Sequence, residues 1–266
     1  MSAPVPIIQK HPEGAFCWVE LGTPDTAGAK QFYTDLFGWD VEEVPMGPSE
    51  TYTMFRTQGL QHAAMYRLQP EHLAQGVPPH WAVYIATDNA DASAAKAREL
   101  GATILAGPFD VRSSGRMAIL KDPHGATFAV WQANEHIGAR IAGVPGTLCW
   151  TELVTPDAKG SKQFYTSLFP WSTKVGASAV PDSQIEYTEW QLAGQSIGGM
   201  MEMKDLPPHW MPYFLVSNCA ESVQLAQELK AHVQFGPMPI AGVGDFAVLR
   251  DPQGAHFTAI SLSAAA

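Results

Sequence analysis

The stretch Cys17-Trp18-Val19-Glu20-Leu21, followed by Thr23-Pro24-Asp25, returns 132 residues later as Cys149-Trp150-Thr151-Glu152-Leu153 and Thr155-Pro156-Asp157. The same spacing carries Lys30-Gln31-Phe32-Tyr33 onto Lys162-Gln163-Phe164-Tyr165, and Trp39 onto Trp171. Further along, Pro78-Pro79-His80-Trp81 matches Pro207-Pro208-His209-Trp210, and Asp122-Pro123-His124-Gly125 matches Asp251-Pro252-Gln253-Gly254. The spacing there is 129, so a loop between has lost about three residues. So many matches in one order mark a tandem duplication. A weaker repeat lies inside each unit. Trp18 precedes Asp25 by seven residues, Trp81 precedes Asp88 by seven, Trp150 precedes Asp157 by seven, and Trp210 leads to Ser217. The chain reads as four modules.

Each module reads as a strand, a helix and further strands. Phe16 to Leu21 suits a strand. Thr23 can cap a helix, with Pro24 in its first turn, where a missing N–H costs nothing. Ala29, Phe32, Tyr33, Leu36 and Phe37 then follow helical spacing. Trp81 to Thr87 suits another strand, and Asp88 can cap a helix running to Leu100, with Gly101 as its stop. Strands are expected around Tyr52–Phe55, His62–Tyr66, Met117–Leu120 and Thr127–Trp131. This places an N-terminal extension over 1–13, a first unit over 14–134, a linker over 135–145 and a second unit over 146–262.

Among 266 residues, 16 are Lys or Arg and 26 are Asp or Glu, a net charge of -10. Such a chain repels phosphate backbones, so neither nucleic acid nor an anionic membrane surface is an expected partner. No apolar run is long enough to span a bilayer. The polar, proline-containing start does not read as a secretory signal, which points to the cytoplasm. The three cysteines have no metal-ligand spacing, and Cys17 and Cys149 fall inside apolar strands.

The order of these motifs resembles the glyoxalase/bleomycin-resistance/extradiol-dioxygenase (vicinal-oxygen-chelate) superfamily. The resemblance rests on Ala29, Phe32, Tyr33 and Leu36-Phe37-Gly38-Trp39, then Gly115-Arg116 leading to Asp122-Pro123-His124-Gly125, all nearly doubled. It implies an α+β fold: a tandem pair of domains, each built from two βαβββ modules that form a cup-shaped mixed sheet with helices outside. It also implies a divalent metal in the cup, with ligands from the first, fifth and last strands. Counted from the family pattern, those positions are Trp18, Trp81 and Ala129 in the first unit and Trp150, Trp210 and Thr258 in the second. None is a metal ligand, and indole offers no free lone pair. No cofactor is therefore expected, although Glu20 with His62 leaves an unorthodox metal site open; two ligands are too few for one.

Strand alternation puts Phe16, Trp18 and Glu20 on the cup side, with Cys17, Val19 and Leu21 facing the helices. By the same rule Trp81 and Val83 would face the cup, as would Ala129 and Trp131. Trp18, Trp81, Trp131, Trp150 and Trp210 then either stack on a planar ligand or plug the cup. Glu20 and Glu152 are the polar candidates. Each is a general base with a raised pKa, a ligand acceptor, or a structural carboxylate held by Tyr, Arg or backbone. His62, placed opposite Gly198 of the copy, is a pocket candidate or a surface residue. His80 and His209 read as strand-entry residues. Arg116 stands where the copy has Asp245, which suggests a diverged site, a cross-unit ion pair or plain surface. Met200, Met201 and Met203 could line an adaptable pocket. These asymmetries favour the first unit as the ligand site. The leading expectation is a metal-independent binding protein, monomeric or homodimeric, for a small, partly aromatic metabolite or drug. The alternative is a lyase, isomerase or oxygenase using an atypical metal or Glu20 as base.

Overall fold

The computed structural model describes residues 7–47, 50–176 and 186–263. The first unit runs β1 (Phe16–Thr23), α1 (Thr26–Phe37), β2 (Asp40–Pro45), β3 (Thr51–Thr57), β4 (Leu60–Arg67), α2 (Pro70–Ala74), β5 (His80–Ala86), α3 (Ala90–Glu99), β6 (Thr103–Val111), β7 (Gly115–Lys121) and β8 (Thr127–Ala133). The second runs β9 (Leu148–Thr155), α4 (Ala158–Leu168), β10 (Trp171–Gly176), β11 (Tyr187–Leu192), β12 (Gln195–Glu202), β13 (His209–Leu215), α5 (Cys219–Glu228), β14 (His232–Ile240), β15 (Gly244–Arg250) and β16 (His256–Leu262). Each unit is one eight-stranded mixed sheet, in the orders β2-β3-β4-β1-β5-β8-β7-β6 and β10-β11-β12-β9-β13-β16-β15-β14. This is the tandem α+β architecture that the family resemblance implied.

The helix caps fall later than the sequence suggested. Asp25, not Thr23, caps α1: its Oδ1 accepts the Gly28 N–H at 3.0 Å. The Thr23 hydroxyl instead accepts the Asp25 N–H at 3.3 Å. On α3 the cap is Asn89, not Asp88, and accepts the Ala92 N–H at 2.9 Å. Either side chain carries the oxygen that an N-cap needs, so composition alone could not choose between neighbours.

The helix-bearing faces of the two sheets pack against each other in one shared core. Val19, Leu21, Tyr33, Trp81 and Phe128 meet Tyr165, Trp210, Phe214 and Phe257 there. Crossed hydrogen bonds tie the halves together. The Tyr33 hydroxyl donates to Asp251 Oδ2 at 2.9 Å, and Tyr165 donates to Asp122 Oδ2 at 2.9 Å. Asp251 Oδ1 meanwhile accepts the N–H groups of Gln253, Gly254 and Ala255 at 3.0, 2.7 and 2.8 Å. The aromatic helix motif of each unit therefore serves the Asp-Pro turn of the other.

The opposite face of each sheet is concave. In the first unit Val44 on β2 and Val111 on β6, from opposite edges of the sheet, pack against one cluster with Trp18, Met54, Tyr84 and Trp131. Arg112 closes that curl by donating to the Met46 carbonyl at 2.8 Å. The second concavity gathers Met211, Tyr213, Phe246 and Ile260, with Cys149, Trp150, Met238, Ile240 and Val248 against them.

Candidate functional site

A carboxylate set between phenols forms the floor of each cup. On β1, Glu20 is half-buried and its Oε2 accepts the Tyr84 hydroxyl at 2.5 Å. The Tyr52 phenol lies beside this carboxylate, and its oxygen accepts the Trp18 indole N–H at 3.4 Å. In the copy Glu152 is 5% exposed and lies beside the Tyr213 and Tyr187 phenols, and Trp150 donates to Tyr187 at 3.0 Å. Burial pushes both carboxyl groups above the usual carboxylate range, and the neighbouring phenols work against that shift. Burial and the adjacent glutamate hold Tyr84 and Tyr213 well above the ordinary phenol range.

Trp18, Trp131 and Trp150 face the cups. Trp81 and Trp210 do not. They face the shared core, where Trp81 donates to the Tyr33 hydroxyl and Trp210 to the Tyr165 hydroxyl, each at 2.9 Å. The cup-facing residues of β5 are Ala82, Tyr84 and Ala86. The cause is the cap. Matching Asp25 to Asn89, rather than to Asp88, moves the module alignment by one residue, and a one-residue slip exchanges the two faces of a strand. The corrected match sets Glu20 over Tyr84, and Glu152 over Tyr213, so the sequence did hold the signal for both tyrosines. The same slip turns His80 toward Tyr66 at the cup rim.

Phe16 and Cys17 depart from the expected alternation too. A register irregularity between Phe16 and Trp18 turns Phe16 toward Trp171 and Trp210, with ring centroids at 5.3 and 5.2 Å, and leaves Cys17 with the cup cluster.

Three further candidates lie outside the cups. His62 is 1% exposed, neither at the surface nor beside Glu20. Its ring packs on Trp39 at 4.9 Å, and Nε2 meets the Thr57 hydroxyl at 3.0 Å. An irregularity between Phe55 and Arg56 brings it to that face, and strand pairing matches Ala63, not His62, to Gly198. Burial lowers its pKa to about 3, so the ring is neutral. Arg116 ion-pairs within its own unit, to Asp91 at 2.6 Å and Asp110 at 2.9 Å, and among the described residues makes no cross-unit bridge. Met200 is fully buried in the shared core, away from the second cup.

The donors present do not suit a divalent metal. Trp18, Tyr84 and Ala129 sit side by side on adjacent strands, as do Trp150, Tyr213 and Thr258. Among the described residues no three His, Cys, Asp or Glu side chains converge. A lone carboxylate between phenols is short of the three protein ligands that catalytic metal sites use.

The first cup is also occupied by its own chain. The segment read as a linker runs across the Trp18 end. The His136 ring lies edge-on to Trp18 at 4.7 Å, and Trp131 donates to the His136 carbonyl at 2.8 Å. Ala139 donates to the Cys17 carbonyl at 2.7 Å. Gly138, at φ 98, lies so close to Cys17 that a Cβ there would overlap its carbonyl. A small cavity of about 190 Å³ remains beside Trp131, lined by His11, Thr87 and Gln132. Among the described residues no helix is long and apolar enough to cross a membrane.

Comparison with known proteins agrees with this architecture. Residues 15–130 match the family described as the Glyoxalase/Bleomycin resistance protein/Dioxygenase superfamily. CFP32 of Mycobacterium bovis, which bears the name glyoxylase, is 35% identical over 259 residues, 96% of this chain and 98% of its own. The anthracycline biosynthesis protein DnrV of Streptomyces peucetius is 36% identical over 265 residues, 94% of each chain. Among solved structures, the 2,3-dioxygenase LapB from Pseudomonas sp. KL28 superposes with a TM-score of 0.65 at 12% identity, covering 95% of this chain and 94% of that one. The Mn(II)-bound glyoxalase from Novosphingobium aromaticivorans gives 0.63 at 17% identity, covering 94% and 82%. These two share the fold. The full-length similarity to CFP32 and DnrV settles the family: this chain belongs to the Glyoxalase/Bleomycin resistance protein/Dioxygenase superfamily.

Proposed function

We propose that the chain is a metal-independent binding protein that holds a small, partly aromatic metabolite or drug in a cup. One observation supports this reading: a buried carboxylate flanked by two phenols and an indole, with no metal-ligand set beside it among the described residues. Indole and phenol faces stack on planar rings, and a carboxylate receives a ligand hydroxyl or amine. The similarity to DnrV supports a planar, hydroxylated ligand, since an anthracycline carries such a ring system. The net charge of -10 fits a cytoplasmic monomer or homodimer with neither nucleic acid nor membrane as partner. The test is a tryptophan-fluorescence titration against hydroxylated aromatics, aliphatic metabolites and nucleotides. Quenching confined to the hydroxylated aromatics is expected; no response from any class would refute the reading.

A second reading has a specific observation behind it. The raised carboxyl pKa at Glu20 and Glu152 suits a general base working without metal. It requires turnover of a bound compound that Glu152→Gln or Glu20→Gln abolishes while binding persists.

A further inference from the structure

Resting on that binding reading, we propose that the two cups have diverged. The first is closed at its tryptophan end by the chain itself. The second takes the ligand, a planar aromatic compound with a ring hydroxyl, which Glu152 and Thr258 recognise while Trp150 provides the stacking face.

The comparison of equivalent positions carries this. Three devices close the first cup: Arg112 bonded to the opposite rim, Trp131 across the floor, and the His136–Ala139 segment laid over Trp18. Strand pairing places Ala241 where the first unit has Arg112, and Ile260 where it has Trp131. At these two positions the second unit therefore carries neither a guanidinium nor an indole. Among the described residues nothing lies on Trp150 as His136 lies on Trp18. Trp18 is 4% exposed, whereas Trp150 is only half-buried.

The floor has also changed character. Thr258 replaces Ala129 beside the tyrosine of the fifth strand. Its side chain is fully buried, and its hydroxyl makes no hydrogen bond of acceptable geometry, although it lies near enough to the Tyr213 phenol to favour that group's ionised form. A buried hydroxyl without a partner is costly, and one aimed into a cup next to a carboxylate is placed to meet a ligand. Glu189 stands where the first unit has buried Met54. Met211 and Met238 stand where it has Ala82 and Phe109. Flexible thioether chains fill space that an incoming ring can take over. Conversely, the His136 imidazole, a flat ring between Trp18 and Trp131, holds in the first cup the place of such a ring.

Dihydroxyanthraquinone serves as the probe, titrated into the intact chain by calorimetry. One molecule should bind per chain. Glu152→Gln should weaken binding at least tenfold, and Thr258→Ala, which restores the first unit's own residue, several-fold. Trp131→Ile, which copies the second unit into the first, should leave the affinity within twofold. Circular dichroism checks that each variant is folded, and Thr258→Ala keeps the test alive should Glu152→Gln be unstable. Two molecules per chain would overturn the proposal. So would an affinity that follows Trp131→Ile and ignores both second-unit changes, and either result leaves the broader binding reading intact. No heat and no saturation with the wild-type chain would overturn both.

Discussion

Tyr33 shows how much one hydroxyl can organise. It donates to Asp251 of the other unit and accepts the Trp81 indole N–H, all out of water. Tyr33→Phe leaves the Trp81 N–H and Asp251 Oδ2 buried without this partner, although Asp251 Oδ1 keeps its three backbone N–H groups. We expect it to cost about 2–3 kcal/mol, measured by urea denaturation, and Tyr165→Phe to cost a similar amount through Asp122 and Trp210. His62 offers a pH test. Its folded pKa, about 3, lies below the ordinary 6.5. Its contribution to stability is thus complete above the ordinary value and is lost as pH falls toward the folded one. Between about pH 4 and 6 the unfolding free energy of His62→Leu should rise with pH less steeply than the wild type's, by up to about 1.4 kcal/mol per pH unit. An unchanged slope would mean that the ring is not held neutral. Glu20, Glu152 and the tryptophans of the first strands were legible as cup residues because alternation there survives. Tyr52 and Tyr187 were not, because they reach Glu20 and Glu152 from strands paired two away from them, and nothing in the local sequence reports that curl.

At the scale of elements, β5 shows where sequence reading fails. Its boundaries and apolar content were plain, but its facing depended on whether Asp88 or Asn89 capped α3. That single residue decided whether Trp81 or Tyr84 met the ligand side. The segment after β8 was likewise legible as a connection and illegible as a cover, since its hold on Cys17 and Trp131 is made through backbone groups. Gly138→Val places a branched side chain against the Cys17 carbonyl. It should lift the segment and expose Trp18, raising acrylamide quenching of the intrinsic fluorescence with a loss of about 1–2 kcal/mol in stability. Unaltered quenching would show that the segment does not cover the first cup.

For the whole molecule, the duplication is an interlocked pair, because each unit's helix motif completes the other's turn and the core is common. Residues 1–134 expressed alone would expose Phe32, Tyr33, Trp81 and Phe128, an apolar face too large for a stable monomer. Either half alone should aggregate or lack near-ultraviolet circular dichroism, and co-expression of both halves should restore it. A stable monomeric half would refute the shared core. The cups, by contrast, differ at equivalent positions, and among the described residues no three His, Cys, Asp or Glu side chains converge. The most direct measurement is a paired calorimetric titration of dihydroxyanthraquinone into chelator-treated protein and into the same protein resupplied with Mn(II). Equal affinities in both preparations are predicted; binding that appears only after Mn(II) is added would contradict the account.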